Sequence, residues 1–202
     1  MIKSFKSLFN KAKILKGLAL AAFVLPFLAN AVFAADGAPE QAKKSLVVYF
    51  SESGNTKRVA EAIHKKVGGD ILEIKTVKPY PKDYDTLVNY AKDEQQKGIK
   101  PELSSQIPNL EEYEIIYLGF PNWWSSLPMP IHTFAEKSKL DGKQVAPFLT
   151  HGGGGTGHIP SDLKKLLPHS QIAKPLSIHG SRSGSVGSEV DAWLKDLKTE
   201  LK

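Results

Sequence analysis

Ser45-Leu46-Val47-Val48-Tyr49-Phe50 runs straight into Ser51-Glu52-Ser53-Gly54-Asn55-Thr56, and this junction decides the fold. The first six residues hold five large apolar side chains in succession, which suits a strand buried on both faces. After Thr56 the apolar residues change spacing: Val59, Ala60, Ile63 and Val67 fall on one face of a helix, and Gly68-Gly69 ends it. A buried strand feeding a helix through six small polar residues is the opening of an α/β sheet.

Moving outward, the same alternation repeats. Residues 70–77 read as a second strand and residues 83–97 as a polar helix, followed by a loop over 98–109 with two prolines. Residues 113–119 read as a third strand, with a short helix over 130–137 opened by proline. A fourth strand (143–150), a helix (161–167), a fifth strand (172–179) and a closing helix (188–201) complete the series. Five strands alternating with helices make one doubly wound parallel sheet, in which a ligand sits beyond the carboxyl ends of the strands. The loops after strands one, three and four are the ones of unusual composition.

The first of these loops places three hydroxyls, a glycine and several backbone N–H groups at a helix N-terminus. Unpaired amides and the helix dipole hold a phosphate there without a lysine. The plainer alternative is an ordinary helix start capped by Asn55 or Thr56. Capping needs one hydroxyl, and three surround Gly54. No Gly-Lys-Ser/Thr follows, so the loop is not a nucleotide P-loop.

The loop after strand three, Gly119 to Pro130, carries no charge and two of the chain's three tryptophans, Trp123 and Trp124. Aromatic side chains at a strand end give a flat apolar wall suited to a planar ring. Neighbouring loop residues point different ways, so one tryptophan is expected to pack into the core and Trp123 to meet the ring. Pro121, Asn122 and the loop amides would border its edge. The loop after strand four, Thr150-His151-Gly152-Gly153-Gly154-Gly155-Thr156-Gly157-His158, contains Gly-x-Gly-x-x-Gly, but not after a first strand as a dinucleotide site requires. Its His-Gly-Gly-Gly lacks the Gly-x-Ser-x-Gly elbow of an esterase. It reads instead either as a backbone-lined rim admitting a flat ligand or as a flexible loop. The turn at 180–185, with Arg182, and Tyr80 and Tyr84 are lesser candidates.

Several stretches together resemble flavodoxins: Val48-Tyr49-Phe50-Ser51 with Gly54-Asn55-Thr56, Pro79-Tyr80-Pro81 with Asp83-Tyr84, Gly119-Phe120-Pro121 with Trp123-Trp124, Leu127-Pro128-Met129-Pro130, and Thr150-His151-Gly152-Gly153. The resemblance is to the exported, signal-bearing branch and covers nearly all of residues 45–197. It implies a flavodoxin-like three-layer α/β/α sandwich around a five-stranded parallel sheet in the order 2-1-3-4-5. It also implies one FMN bound non-covalently. The phosphate would lie on Ser51, Ser53, Gly54, Asn55 and Thr56; the ring would lie between Pro121, Asn122, Trp123 and Trp124 on one side and Thr150, His151, Gly152 and Gly153 on the other. Two positions depart from the pattern: Glu52 sets a carboxylate beside the phosphate, and Ser125 stands where similar proteins often carry glycine.

Charge and the N-terminus supply the setting. The formal charge of +6 is concentrated in residues 1–34, which hold five lysines and no acid; without them 22 basic residues face 21 acidic ones. That leaves no basic patch for nucleic acid. The lysines precede 19 charge-free residues, Gly17 to Ala35, and then small residues before an acidic, Pro-containing start, the layout of a secretory signal. Cleavage is expected after Ala34, giving a signal peptide over 1–34, a short linker over 35–43 and one domain over 44–202. The alternative is an uncleaved anchor in the inner membrane, since 19 residues just reach spanning length. The expected location is outside the cytoplasm, periplasmic or secreted, and without a twin-arginine pair the chain would be exported unfolded and take up its cofactor afterwards. With no cysteine, disulfides, thiolate metal sites and cysteine nucleophiles are excluded. Three functions remain in contention: an electron carrier, an FMN-dependent NAD(P)H:quinone-type oxidoreductase, and a non-redox binding module on the same fold.

Overall fold

A computed structural model describes residues 44–201; the expected signal peptide and linker lie outside the described residues. Strands β1 (Lys44–Phe50), β2 (Asp70–Ile74), β3 (Tyr113–Pro121), β4 (Gln144–His151), β5 (Gln171–Ile172) and β6 (Leu176–His179) form one sheet. All named pairings are parallel, and the strand order is β2-β1-β3-β4-β5, with β6 also on β4. Helices α1 (Asn55–Val67), α2 (Tyr84–Lys97), α3 (Met129–Lys137), α4 (Ile159–Leu166) and α5 (Gly187–Glu200) cover its faces. The expected three-layer sandwich and its order are those observed.

The continuous apolar run of β1 is explained by two cores. Leu46, Val48 and Phe50 pack with Ile131 and Phe134 of α3 and Ile159 and Leu163 of α4. Val47 and Tyr49 point the other way, into a core with Val59 and Ile63 of α1 and Val190, Trp193 and Leu197 of α5. Each such side chain fully buried contributes about 1.5–3 kcal/mol against exposure, so a polar residue anywhere in β1 would be costly.

The expected fifth strand, 172–179, is two segments at one sheet position. Pro175 has no N–H to give to β4, and the chain detours toward α5 there. Lys174 donates its N–H to Glu200 Oε1 at 2.7 Å, and Trp193 Nε1 donates to the Lys174 carbonyl at 2.9 Å. The second strand also stops earlier than expected, at Ile74. The next residues leave β1 and pair antiparallel with the presumed loop, Val77 N–H to Glu102 O at 2.8 Å and Ser104 N–H to Lys75 O at 2.8 Å.

Candidate functional site

The carboxyl ends of β1, β3, β4 and β6 surround a cleft of about 530 Å³, within the range of small-molecule sites. A second cavity of about 500 Å³ lies between α1 and α5 at the amino ends of β3 and β4. Only the first is at the edge where doubly wound sheets bind ligands.

The loop between β1 and α1 holds each of its residues in a distinct position. Gly54 takes a left-handed φ of +79° ahead of α1, and no side chain caps the helix. The capping alternative for Asn55 or Thr56 therefore fails, leaving the Asn55 and Thr56 amides without a side-chain acceptor, the arrangement an anion completes. Ser53 and Asn55 line the cleft. Ser51 Oγ accepts from the Lys57 N–H at 3.3 Å, which leaves its own proton available. Thr56 is 1% exposed and its Oγ1 lies 2.8 Å from Thr150 Oγ1, tying the loop to the end of β4. Glu52 does not face open water: its carboxylate sits 4.0 Å from Lys82 in a small adjoining cavity, and burial pushes its pKa up.

Both tryptophans line the cleft, in different ways. Trp123 packs edge-on against Phe50 and Tyr80, at ring-centroid distances of 5.3 and 5.2 Å, so it belongs to the core as well. Trp124 is 48% exposed; its Nε1 donates to the Val88 carbonyl of α2 at 3.1 Å, and Lys92 Nζ lies 4.8 Å from its ring centre. Residues 123–126 form a two-residue hairpin closed by paired backbone bonds of 3.2 and 3.0 Å. Both central residues, Trp124 and Ser125, are left-handed, at φ +53° and +63°. Gly157 abuts this turn: a Cβ there would stand 2.6 Å from the Ser125 carbonyl oxygen, which is one physical reason for the glycine run.

Pro121, Asn122, Thr150, His151 and Gly152 also line the cleft. Asn122 donates its N–H to the Thr150 carbonyl at 2.7 Å and its Nδ2 to the Gly155 carbonyl at 2.8 Å. His151 Nδ1 accepts from the Gly153 N–H at 3.0 Å, so the neutral ring carries its proton on Nε2. Its pKa is lowered by burial and by His179, whose ring centre is 5.5 Å away. Ser51, Gly54, Thr56 and Gly153 do not line this cleft, though Thr56 lines the adjoining cavity. Arg182 pairs outward with Glu189 at 2.9 Å.

The α2 wall, Leu87, Val88 and Ala91, was not foreseen, nor was His179, which sits opposite His151 in the register of β4 and β6. The only signal for the wall is an i, i+1, i+4 apolar spacing in an otherwise polar helix. No group of three or more His, Asp or Glu able to hold a metal converges among the described residues.

A 2-1-3-4-5 sheet with an uncapped helix N-terminus beside an aromatic-walled cleft defines a mononucleotide-binding α/β protein. Residues 44–197 match the flavodoxin family model, and the chain belongs to that family. No curated protein matches it. Among solved structures it is similar to a protein from Bacteroides uniformis classed as a flavoprotein, with 32% identity, 76% of this chain and 98% of that one covered, and a TM-score of 0.68. A counterpart from Bacteroides eggerthii shows 31% identity, coverage of 77% and 98%, and a TM-score of 0.69. A flavoprotein from Lactobacillus acidophilus, solved in complex with FMN, shows 28% identity, coverage of 76% and 99%, and a TM-score of 0.61.

The described residues fit FMN on three counts. The N-terminus of α1 has donors without a side-chain acceptor. The cleft has the volume of a small-molecule site. Trp124 and Tyr84, at 48% and 74% exposure, leave large aromatic surfaces uncovered at its walls, which a planar ligand would shield from water.

Proposed function

We propose that this chain is an exported FMN-binding redox protein that passes electrons through a non-covalently bound flavin outside the cytoplasm. The observation that carries the reading is the uncapped, left-handed entry to α1 opening onto the aromatic-walled cleft. FMN supplies the electron-carrying chemistry when bound. Around it, the α1 amides with Ser51 and Ser53 hold the phosphate, and Thr56 acts through Thr150 to fix the loop's height above β4. Pro121, Asn122 and the two tryptophans form one wall for the ring, and Thr150, His151 and Gly152 the other. The Trp124 indole, clamped to Val88, excludes water from one side of the cleft.

Charge supports a specific property. Among the described residues no acid lines the cleft, and Glu52, in the adjoining cavity, has its ionised form disfavoured by burial. We therefore expect a reduction potential less negative than that of the strongly acidic, low-potential flavodoxins, because little negative charge opposes electron uptake. A redox titration returning values as low as theirs would refute this. The second reading, an FMN-dependent NAD(P)H:quinone-type oxidoreductase, draws support from His151 and His179, two adjacent proton-bearing rings at the cleft.

The test is titration of purified protein with FMN, followed by flavin fluorescence. One-to-one quenching, weakened by Ser53→Trp, supports the flavin assignment. A folded protein that leaves FMN fluorescence unchanged points to the non-redox module. Steady NAD(P)H oxidation with a quinone separates reductase from carrier. For export, N-terminal sequencing from the secreting host should begin at Ala35; an intact Met1 in the membrane fraction would favour the uncleaved anchor.

A further inference from the structure

The chain has two arginines, and Arg58 is directed at the candidate site by a closed ring of hydrogen bonds. Arg58 Nη2 donates to Asn55 Oδ1 at 2.5 Å, and Arg58 Nε donates to Ser183 Oγ at 3.1 Å. Ser183 Oγ in turn donates to Asn55 Oδ1 at 3.2 Å. Ser183 is only 2% exposed and lies 128 positions from Asn55, in the turn after β6, so the ring joins two distant loops.

The ring settles which way the Asn55 amide faces. A guanidinium has five N–H donors and no acceptor, so the atom turned toward it must be the amide oxygen. Both donors of Asn55 Nδ2 are thereby turned away from Arg58. Nδ2 lies against Gly180, where an added Cβ would stand 2.8 Å from it, and Asn55 and Gly180 both line the cleft. In the opposite orientation NH2 would face N–H, and a carbonyl oxygen would face a ligand bearing a phosphate.

We propose that Arg58 and Ser183 are positioning residues: they lock Asn55 so that it presents two N–H donors and no acceptor to the FMN cleft, and they latch the turn after β6 onto the phosphate loop. Arg58 does this through its fork geometry and not only through its charge. The FMN part of the inference rests on the reading under Proposed function; the orientation of Asn55 does not.

Arg58 is exposed on α1 and Ser183→Ala removes a single oxygen, so both substitutions should leave the fold intact. The experiment uses the full chain, ¹⁵N-labelled and free of flavin, and records the Asn55 side-chain amide signals in the native protein, in Arg58→Lys and in Ser183→Ala. Both variants should move or merge the two Asn55 proton signals. FMN binding followed by fluorescence should weaken about tenfold in each, the size of one lost charge-assisted bond. The double variant should lose no more than about the same factor, because the three residues act as one unit. Unmoved Asn55 signals, native-like FMN affinity in Arg58→Lys, or losses that multiply in the double variant would each overturn the proposal. If the native protein fails to bind FMN while the Asn55 signals respond, the orientation stands and the flavin assignment falls.

Discussion

Ser125→Gly should make the protein more stable. Ser125 sits at φ +63° beside Trp124 at φ +53°, a two-residue turn that ordinarily takes Asn-Gly. A non-glycine residue in the left-handed region costs about 1–2 kcal/mol, and the wider freedom of glycine in the unfolded chain takes back about 0.5–1 kcal/mol. The Ser125 side chain is exposed, and among the described residues its hydroxyl makes no hydrogen bond, so little else is lost. The bond at risk, His158 N–H to the Ser125 carbonyl at 2.7 Å, is a backbone bond and survives the change. The net gain is about 0.5–1 kcal/mol, which for a chain of this size raises the melting temperature by roughly 1–4 °C. Differential scanning calorimetry on native, Ser125→Gly and Ser125→Ala protein measures it, the alanine variant keeping the strain and showing no comparable gain. An unchanged or lower melting temperature in Ser125→Gly would refute the reasoning. It would mean that the surrounding contacts from Val88, Gln95 and Asp162, not the backbone, set the energy of this turn.

Three further outcomes are expected. Gly119→Ala in β3 would place a Cβ 2.1 Å from Phe148 Cζ and should cost about 2–3 kcal/mol in urea unfolding, with partial recovery when Phe148→Leu is added. Glu94, buried and accepting from Tyr80 Oη at 2.5 Å, has its pKa raised by burial, the Tyr80 bond opposing the shift. The folded state therefore holds that proton more tightly than the unfolded one: its contribution is full below the ordinary carboxyl range and is lost as pH rises through the folded pKa. Glu94→Gln should flatten this fall, raising stability at pH 8 more than at pH 4 in parallel urea titrations. His179→Gln should raise the pKa of His151, since the neighbouring ring is one cause of its depression; a proton NMR titration of the His151 ring showing no upward move would contradict the pairing.

Much of this was legible because the strands are buried on both faces. Leu46 to Phe50 and Val145 to Leu149 read as unbroken apolar runs, since each successive side chain meets a different helical layer. The loop at 51–56 stood out because hydroxyls around a glycine at a strand–helix junction have few structural uses, and its place at the end of β1 followed from the strand and helix on either side. What stayed hidden was set by distant partners. Leu87, Val88 and Ala91 sit in a helix whose inner face meets a ligand cleft as well as core, so its apolar stripe is thin. The Thr56–Thr150 and Asn55–Ser183 bonds span 94 and 128 positions, and no local pattern announces them. The break in the fifth strand was visible as Pro175, but a proline at a sheet edge does not say whether the strand ends there or resumes.

Thr150 serves three loops at once: its hydroxyl meets Thr56, its carbonyl takes the Asn122 N–H, and its strand carries His151 to the register of His179. The cleft is therefore an outcome of assembly, finished only when the fourth strand has joined the third and the chain beyond it has returned to the edge. Under the proposed export, this centre would be completed on the far side of the membrane, where chain and flavin meet. The two apolar layers, packed on either side of the sheet, would set the spacing of the loops that the flavin enters.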